Sequence, residues 1–127
     1  MTNALFICGK ARMRSPTAAD IAASWKGVTT DFAGLSHDAD EKLSQEQLAW
    51  ADIIFVMEAR QAKRLKNLLP AMLRGKRVVT LNVPDRFTFM ESALIAILEP
   101  KLRAVLGQKQ VRLVQTARPL ASQTPSR

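Results

Sequence analysis

The sequence predicts an α/β protein in which a parallel sheet is covered by helices on both faces. Three observations predict it. Short apolar runs, ALFIC and IIFVM among them, alternate with stretches of helical periodicity. Glycines at 27, 34, 75 and 107 punctuate that alternation. A chain of 127 residues, 47% hydrophobic and 24% charged, fills one domain with its own core and needs no disulfide or metal staple. Strands alternating with helices are joined by right-handed crossovers, which places helices on both faces of the sheet.

The elements follow in order. Residues 3 to 8 read as a buried first strand. The next helix is expected to open at Ser15-Pro16, with serine as N-cap and proline at the first helical position. VTTDFAG, rich in β-branched and aromatic residues, reads as a second strand closed by Gly34. SHDADEK then reads as a solvated polar loop. Ser44 followed by Gln47 is a capping box, so a short helix is expected over about Gln45 to Ala51. ADIIFVM is the strongest strand in the chain.

From Glu58, the residues Ala62, Leu65, Leu68, Leu69, Met72 and Leu73 keep near-helical spacing, with Pro70 breaking the element and Gly75 ending it. RVVTLNV is the fourth strand. Met90, Ala93, Leu94, Ile97 and Leu98 line one face of the last helix, which continues past Pro100 through Leu102 and Val105. The domain therefore runs over 1–106. Residues 107–127 form a basic, polar tail with prolines at 119 and 125, expected to be mobile unless it docks.

Composition narrows the function classes. With one cysteine and one histidine, an internal disulfide is impossible and a Cys/His metal cluster is excluded. The apolar runs are too short to span a bilayer, and the N-terminus lacks a secretory pattern, so a cytoplasmic protein is expected. The net charge of +8 points to an anionic partner. The basic tail raises nucleic acid as one such partner, but the chain carries no nucleic-acid motif.

The single thiol, Cys8, falls at the carboxyl end of the first strand, where ligands bind in open parallel sheets. Five residues later comes Arg14, then Ser15-Pro16 at a helix start. Backbone N–H groups curled inward by such a loop suit a dianionic phosphate, and a guanidinium grips two of its oxygens. The same field favours thiolate over thiol, which makes Cys8 a nucleophile facing bound phosphorus. Taken alone, a lone cysteine at a strand end also reads as a small buried hydrophobe.

CGKARMRSPTA, with its cysteine, five residues and Arg-Ser-Pro, resembles the phosphate loop of the low-molecular-weight protein tyrosine phosphatases. WADIIFVME is similar to that family's central strand, and NVPDRF resembles the segment carrying its general acid. The resemblance covers residues 3 to about 106. It implies a three-layer αβα fold with strand order 2-1-3-4 and the phosphate loop between the first strand and first helix. It implies hydrolysis of phosphomonoesters through a phosphocysteine, without metal or cofactor.

The implied catalytic residues are Cys8 as nucleophile, Arg14 as phosphate clamp, Ser15 as hydroxyl donor to the thiolate, and Asp85 as acid and then base. The loop residues Gly9, Lys10, Ala11, Arg12 and Met13 are expected to bind the phosphate, with Phe87 beside the substrate's ring. Phe89 is expected in the core. The expected partners are a phosphorylated protein or small aryl phosphate, and inorganic phosphate or other oxyanions as ligands. The chain departs from the family pattern at Lys10 and Ala11, where glycine and asparagine are usual. Alanine does not hold a left-handed backbone well, so a less preorganised loop is expected. Met13 replaces a frequent second cysteine, and the thioredoxin-coupled arsenate reductases of this fold need further cysteines that are absent here. A phosphate- or phosphopeptide-binding module with weak catalysis is the alternative.

Overall fold

The computed structural model describes residues 1–10 and 12–107. Ala11 and the expected tail from residue 108 onward lie outside the described residues. The elements are β1 (Thr2–Cys8), α1 (Arg14–Ala23), β2 (Val28–Gly34), α2 (Gln45–Trp50), β3 (Ile53–Val56), α3 (Ala59–Leu68), a 3₁₀ helix (Pro70–Leu73), β4 (Arg77–Thr80) and α4 (Ser92–Leu106). The four strands are all parallel in the order β2-β1-β3-β4.

Alternation along β1 divides the core. Ala4, Phe6 and Cys8 face the cluster built from Ala18, Ala19 and Ala22 of α1 and Leu94, Leu98 and Leu102 of α4. Leu5 and Ile7 face the opposite cluster, with Leu48 of α2 and Leu65 of α3. The alanines let α1 lie close against both sheet and α4. Phe6 and Phe55, neighbours in register, stack with ring centroids 4.8 Å apart. Ser44 and Gln47 form the expected capping box at α2.

Several boundaries differ from expectation. α1 starts at Arg14, with Met13 at the N-cap position, so Ser15 lies inside the first turn and caps nothing. Pro16 is tolerated there because the first-turn N–H groups have no intrahelical partner anyway. Leu68 is exposed at the end of α3, since Leu69, four residues after Leu65, takes the inward place. β4 stops at Thr80, although Leu81 and Val83 still bond to the Val56 and Met57 carbonyls. Met90 precedes α4 in a left-handed conformation (φ 59°) and Ala93 is exposed, so the buried stripe of α4 is Leu94, Leu98 and Leu102. Pro100 sits within α4, as anticipated.

Candidate active site

Every strand delivers part of the site from its carboxyl end. β1 ends in Cys8 and runs into the loop to Arg14; β2 ends in Gly34, paired in register with Cys8. Glu58 and α3 follow β3, and the segment Val83–Asp85 follows β4. Asn82 makes that last turn possible with a left-handed φ of 58°, a conformation asparagine tolerates.

Cys8 and Ser15 meet at the floor, with Sγ and Oγ in hydrogen-bond contact at 3.0 Å. Ser15 therefore serves the thiol instead of the helix end. Arg14 is 3% exposed, and its Nη1 donates to the Val83 carbonyl at 2.7 Å. Glu58 Oε1 lies 3.5 Å from Nη1, and Asp85 Oδ2 lies 3.8 Å from Nη2. Burial of Glu58 raises its pKa, but the hydrogen bond from Arg60 and the charges of Arg14 and Arg60 outweigh it, so the net shift is downward. A carboxylate thus faces the buried guanidinium.

The loop is fastened from outside. Leu35 N–H donates to the Cys8 carbonyl, Ser36 N–H to that of Gly9 and Asp40 N–H to that of Lys10, at 3.0, 2.8 and 2.9 Å. In a planar trans peptide the N–H points opposite to the preceding C=O, so the Gly9 and Lys10 N–H groups face away from this strap. Side chains repeat the fastening: Lys10 pairs with Asp38 at 3.2 Å, and Arg12 Nε contacts both oxygens of Asp40 at 3.1 Å. Hydrogen bonds from Ser36 and Lys10 lower the Asp38 pKa from 3.8 to about 2. The contact is so close that Gly34 admits no side chain: a Cβ there would lie 2.6 Å from that of Ala39 and 2.7 Å from the Gly9 carbonyl.

Cys8, Gly9, Lys10, Arg12, Met13 and Arg14 all line one cavity of about 560 Å³, a volume typical of small-molecule sites. Asp85, 65% exposed, stands in its wall, joined by Arg60, Gln61 and Arg64 of α3 and by Leu35 and Ser36 of the strap. Gln61 is buried, its Oε1 accepting from the N–H groups of Met57 and Glu58, which fixes the start of α3 at the cavity edge. Among the described residues, no group of three or more His, Cys, Asp or Glu is placed to hold a metal.

Of the site residues expected from sequence, Cys8, Gly9, Lys10, Arg12, Met13, Arg14 and Asp85 come together in this cavity, and Ser15 lies directly beneath it. Ala11 falls outside the described residues. Phe87 does not line the cavity; it packs against the α1/α4 core, with the Arg86 guanidinium 5.4 Å from its ring centroid. Phe89, expected in the core, is instead 47% exposed and borders a smaller cleft with Arg12 and Phe32. Neither phenylalanine therefore stands where it was expected, and the left-handed Met90 turns the chain between them and α4. Its N–H bonds to Thr17 Oγ1, pinning that turn to α1.

Sequence reasoning put the Ser36-His37-Asp38 loop near the mouth but gave it no job, and it missed the strap's fastening role, the close approach at Gly34, Glu58 and the α3 arginines. One signal was present: the basic pair Lys10 and Arg12 has the same spacing as the acidic pair Asp38 and Asp40.

This architecture is the fold of the low-molecular-weight protein tyrosine phosphatases. The YwlE arginine phosphatase from Geobacillus stearothermophilus superposes with a TM-score of 0.66 at 17% identity, covering 94% of this chain and 99% of its own. A low-molecular-weight phosphotyrosine phosphatase from Vibrio cholerae O395 gives 0.65 at 16% identity, over 87% of this chain and 99% of its own. Wzb from Vibrio vulnificus, in complex with benzylphosphonate, gives 0.63 at 18% identity, over 84% and 95%. No family model matches the chain, and no curated protein matches it.

Proposed function

We propose that the protein is a cysteine-dependent phosphomonoester hydrolase acting on aryl phosphates such as phosphotyrosine. The observation that carries this reading is the convergence of Cys8, Arg14 and Asp85 on one cavity, with Ser15 bonded to the thiol. A phosphotyrosine phosphatase of the same fold, and Wzb of that fold in complex with benzylphosphonate, support it.

In this mechanism the phosphate dianion sits over Cys8, held by the Gly9 and Lys10 N–H groups and the free edge of Arg14. A buried guanidinium facing an open cavity gains from such an anion, because a charge taken from water needs a partner. The Cys8 thiolate attacks phosphorus, the phosphorus–oxygen ester bond breaks, and Asp85 gives its proton to the leaving oxygen. Asp85, now a carboxylate, takes a proton from water as that water attacks the phosphocysteine. The sulfur–phosphorus bond breaks and the thiolate returns, stabilised by the Ser15 hydroxyl. One cysteine suffices for this cycle, whereas passing a disulfide along the chain would require more.

Purified protein is expected to hydrolyse an aryl phosphate in the presence of EDTA, and Cys8→Ser to abolish turnover while still binding inorganic phosphate. Rapid quench and mass spectrometry should trap a phosphocysteine on the parent protein. Phosphate binding without turnover or a trapped intermediate would leave a binding module instead.

A further inference from the structure

The cations around the cavity are not equivalent. On the strap side, Lys10 and Arg12 are neutralised by Asp38 and Asp40, and at the floor Arg14 faces Glu58 and Asp85. The α3 wall is different. Arg60 and Arg64 lie four residues apart on one helical face, both exposed and both lining the cavity. The carboxylate paired with Arg60 is Glu58, and the same Oε1 that accepts its Nε and Nη2 at 3.0 and 2.9 Å also faces Arg14. Two guanidiniums thus share one carboxylate. Arg64 makes no ion pair among the described residues.

The cavity also exceeds what a phosphate group fills, and no aromatic ring lines it among the described residues. A wall that offers two guanidinium forks and no ring complements charge better than it complements an aromatic face. We infer that the α3 wall is a second anion site. The substrate is a phosphomonoester carrying a further phosphate or carboxylate, held by Arg64 and Arg60 while its scissile phosphate sits over Cys8. This inference rests on the phosphatase reading and narrows its substrate class.

Calorimetry on the intact protein tests it without requiring turnover. Benzylphosphonate, its 4-methyl, 4-carboxylate and 4-phosphonomethyl derivatives are titrated at low and high salt. The two anionic derivatives are expected to bind about three- to thirtyfold more tightly than the 4-methyl control, the range spanned by exposed and charge-assisted contacts. That ratio should shrink with salt. It should fall toward one in Arg64→Gln, and further in Arg60→Gln/Arg64→Gln, with folding verified by circular dichroism. A ratio near one in the parent, or one untouched by the double substitution, overturns the second site.

Phosphotyrosine peptides with flanking glutamates, compared with glutamine counterparts, identify the source. Preference for the glutamate peptide places the second anion on a polypeptide; preference confined to the bisphosphonate places it on a small molecule. Hydrolysis of phenyl phosphate separates the two levels. Turnover without anion preference overturns the second site alone, whereas anion preference without turnover overturns the phosphatase reading and leaves the site standing.

Discussion

At the scale of the residue, the proposed catalysis depends on a few atoms whose environments make distinct demands. If Asp85 alternates as acid and base, Asp85→Asn should slow esters of poor leaving groups by on the order of 10²–10⁴ and esters of good ones far less. Equal losses across a leaving-group series would assign it a structural role. Ser15→Ala removes the hydroxyl proposed to stabilise the departing thiolate, so breakdown of the phosphocysteine should slow by roughly ten- to a hundredfold, as expected for a hydrogen bond to a charged group. Burst kinetics should then show the intermediate accumulating. Asp38 offers a test of the strap. Its pKa is depressed from 3.8 to about 2, so its contribution to stability is complete above its unfolded value and lost as pH falls through about 2. The stability difference between the parent and Asp38→Asn, followed by urea unfolding, should therefore hold steady down to mildly acidic pH and shrink below it.

At the scale of the element, the loop after β1 owes its shape to a neighbouring segment. Ala11 has no polar side chain with which to brace the loop from within, and the 35–40 strap braces it from outside through three carbonyls and two ion pairs. Gly34→Ala should therefore misplace the loop, costing about 1–3 kcal/mol of stability. It should weaken phosphate binding as well, measurable in the same sample by calorimetry. α4 is held differently. Leu94, Leu98 and Leu102 are fully buried, so Leu98→Ala should cost about 2–5 kcal/mol with little change in the site's own geometry. Elements with strong internal periodicity were legible: VTTDFAG and the capping box at Ser44 read correctly from local pattern, and in α4 the pattern found Leu94, Leu98 and Leu102 but wrongly added Met90 and Ala93 to the buried face. The start of α1 did not, because the Ser15 hydroxyl bonds to a thiol that the fold brings beside it, and local cap preference yields to that contact.

At the scale of the whole molecule, the parallel sheet gathers four loops at one edge, and both core clusters close within the described residues. We propose that residues 1–106 fold as the catalytic domain, with Gly107, left-handed at φ 71°, completing the end of α4. A chain ending after Gly107 is expected to keep its hydrolytic activity, with its thermal midpoint moving by less than about 4 °C, the shift that 1 kcal/mol makes in a domain of this size. A larger loss would show that the basic tail belongs to the domain. Among the described residues no helix is long and apolar enough to cross a membrane.

The amino-acid sequence by itself determined the α/β class, the position of the thiol at a strand end and the C-x₅-R-S-P loop, because periodicity and turn chemistry act over a few residues. Tertiary structure alone decided what holds Arg14, that Arg64 has no ion pair among the described residues, and that Phe87 rather than Phe89 packs against the core. Those outcomes depend on contacts such as Arg14 with Val83, 69 residues apart, and Arg12 with Asp40, 28 apart. Such pairs meet only after strand order and register are set, and no local pattern in either partner records the meeting.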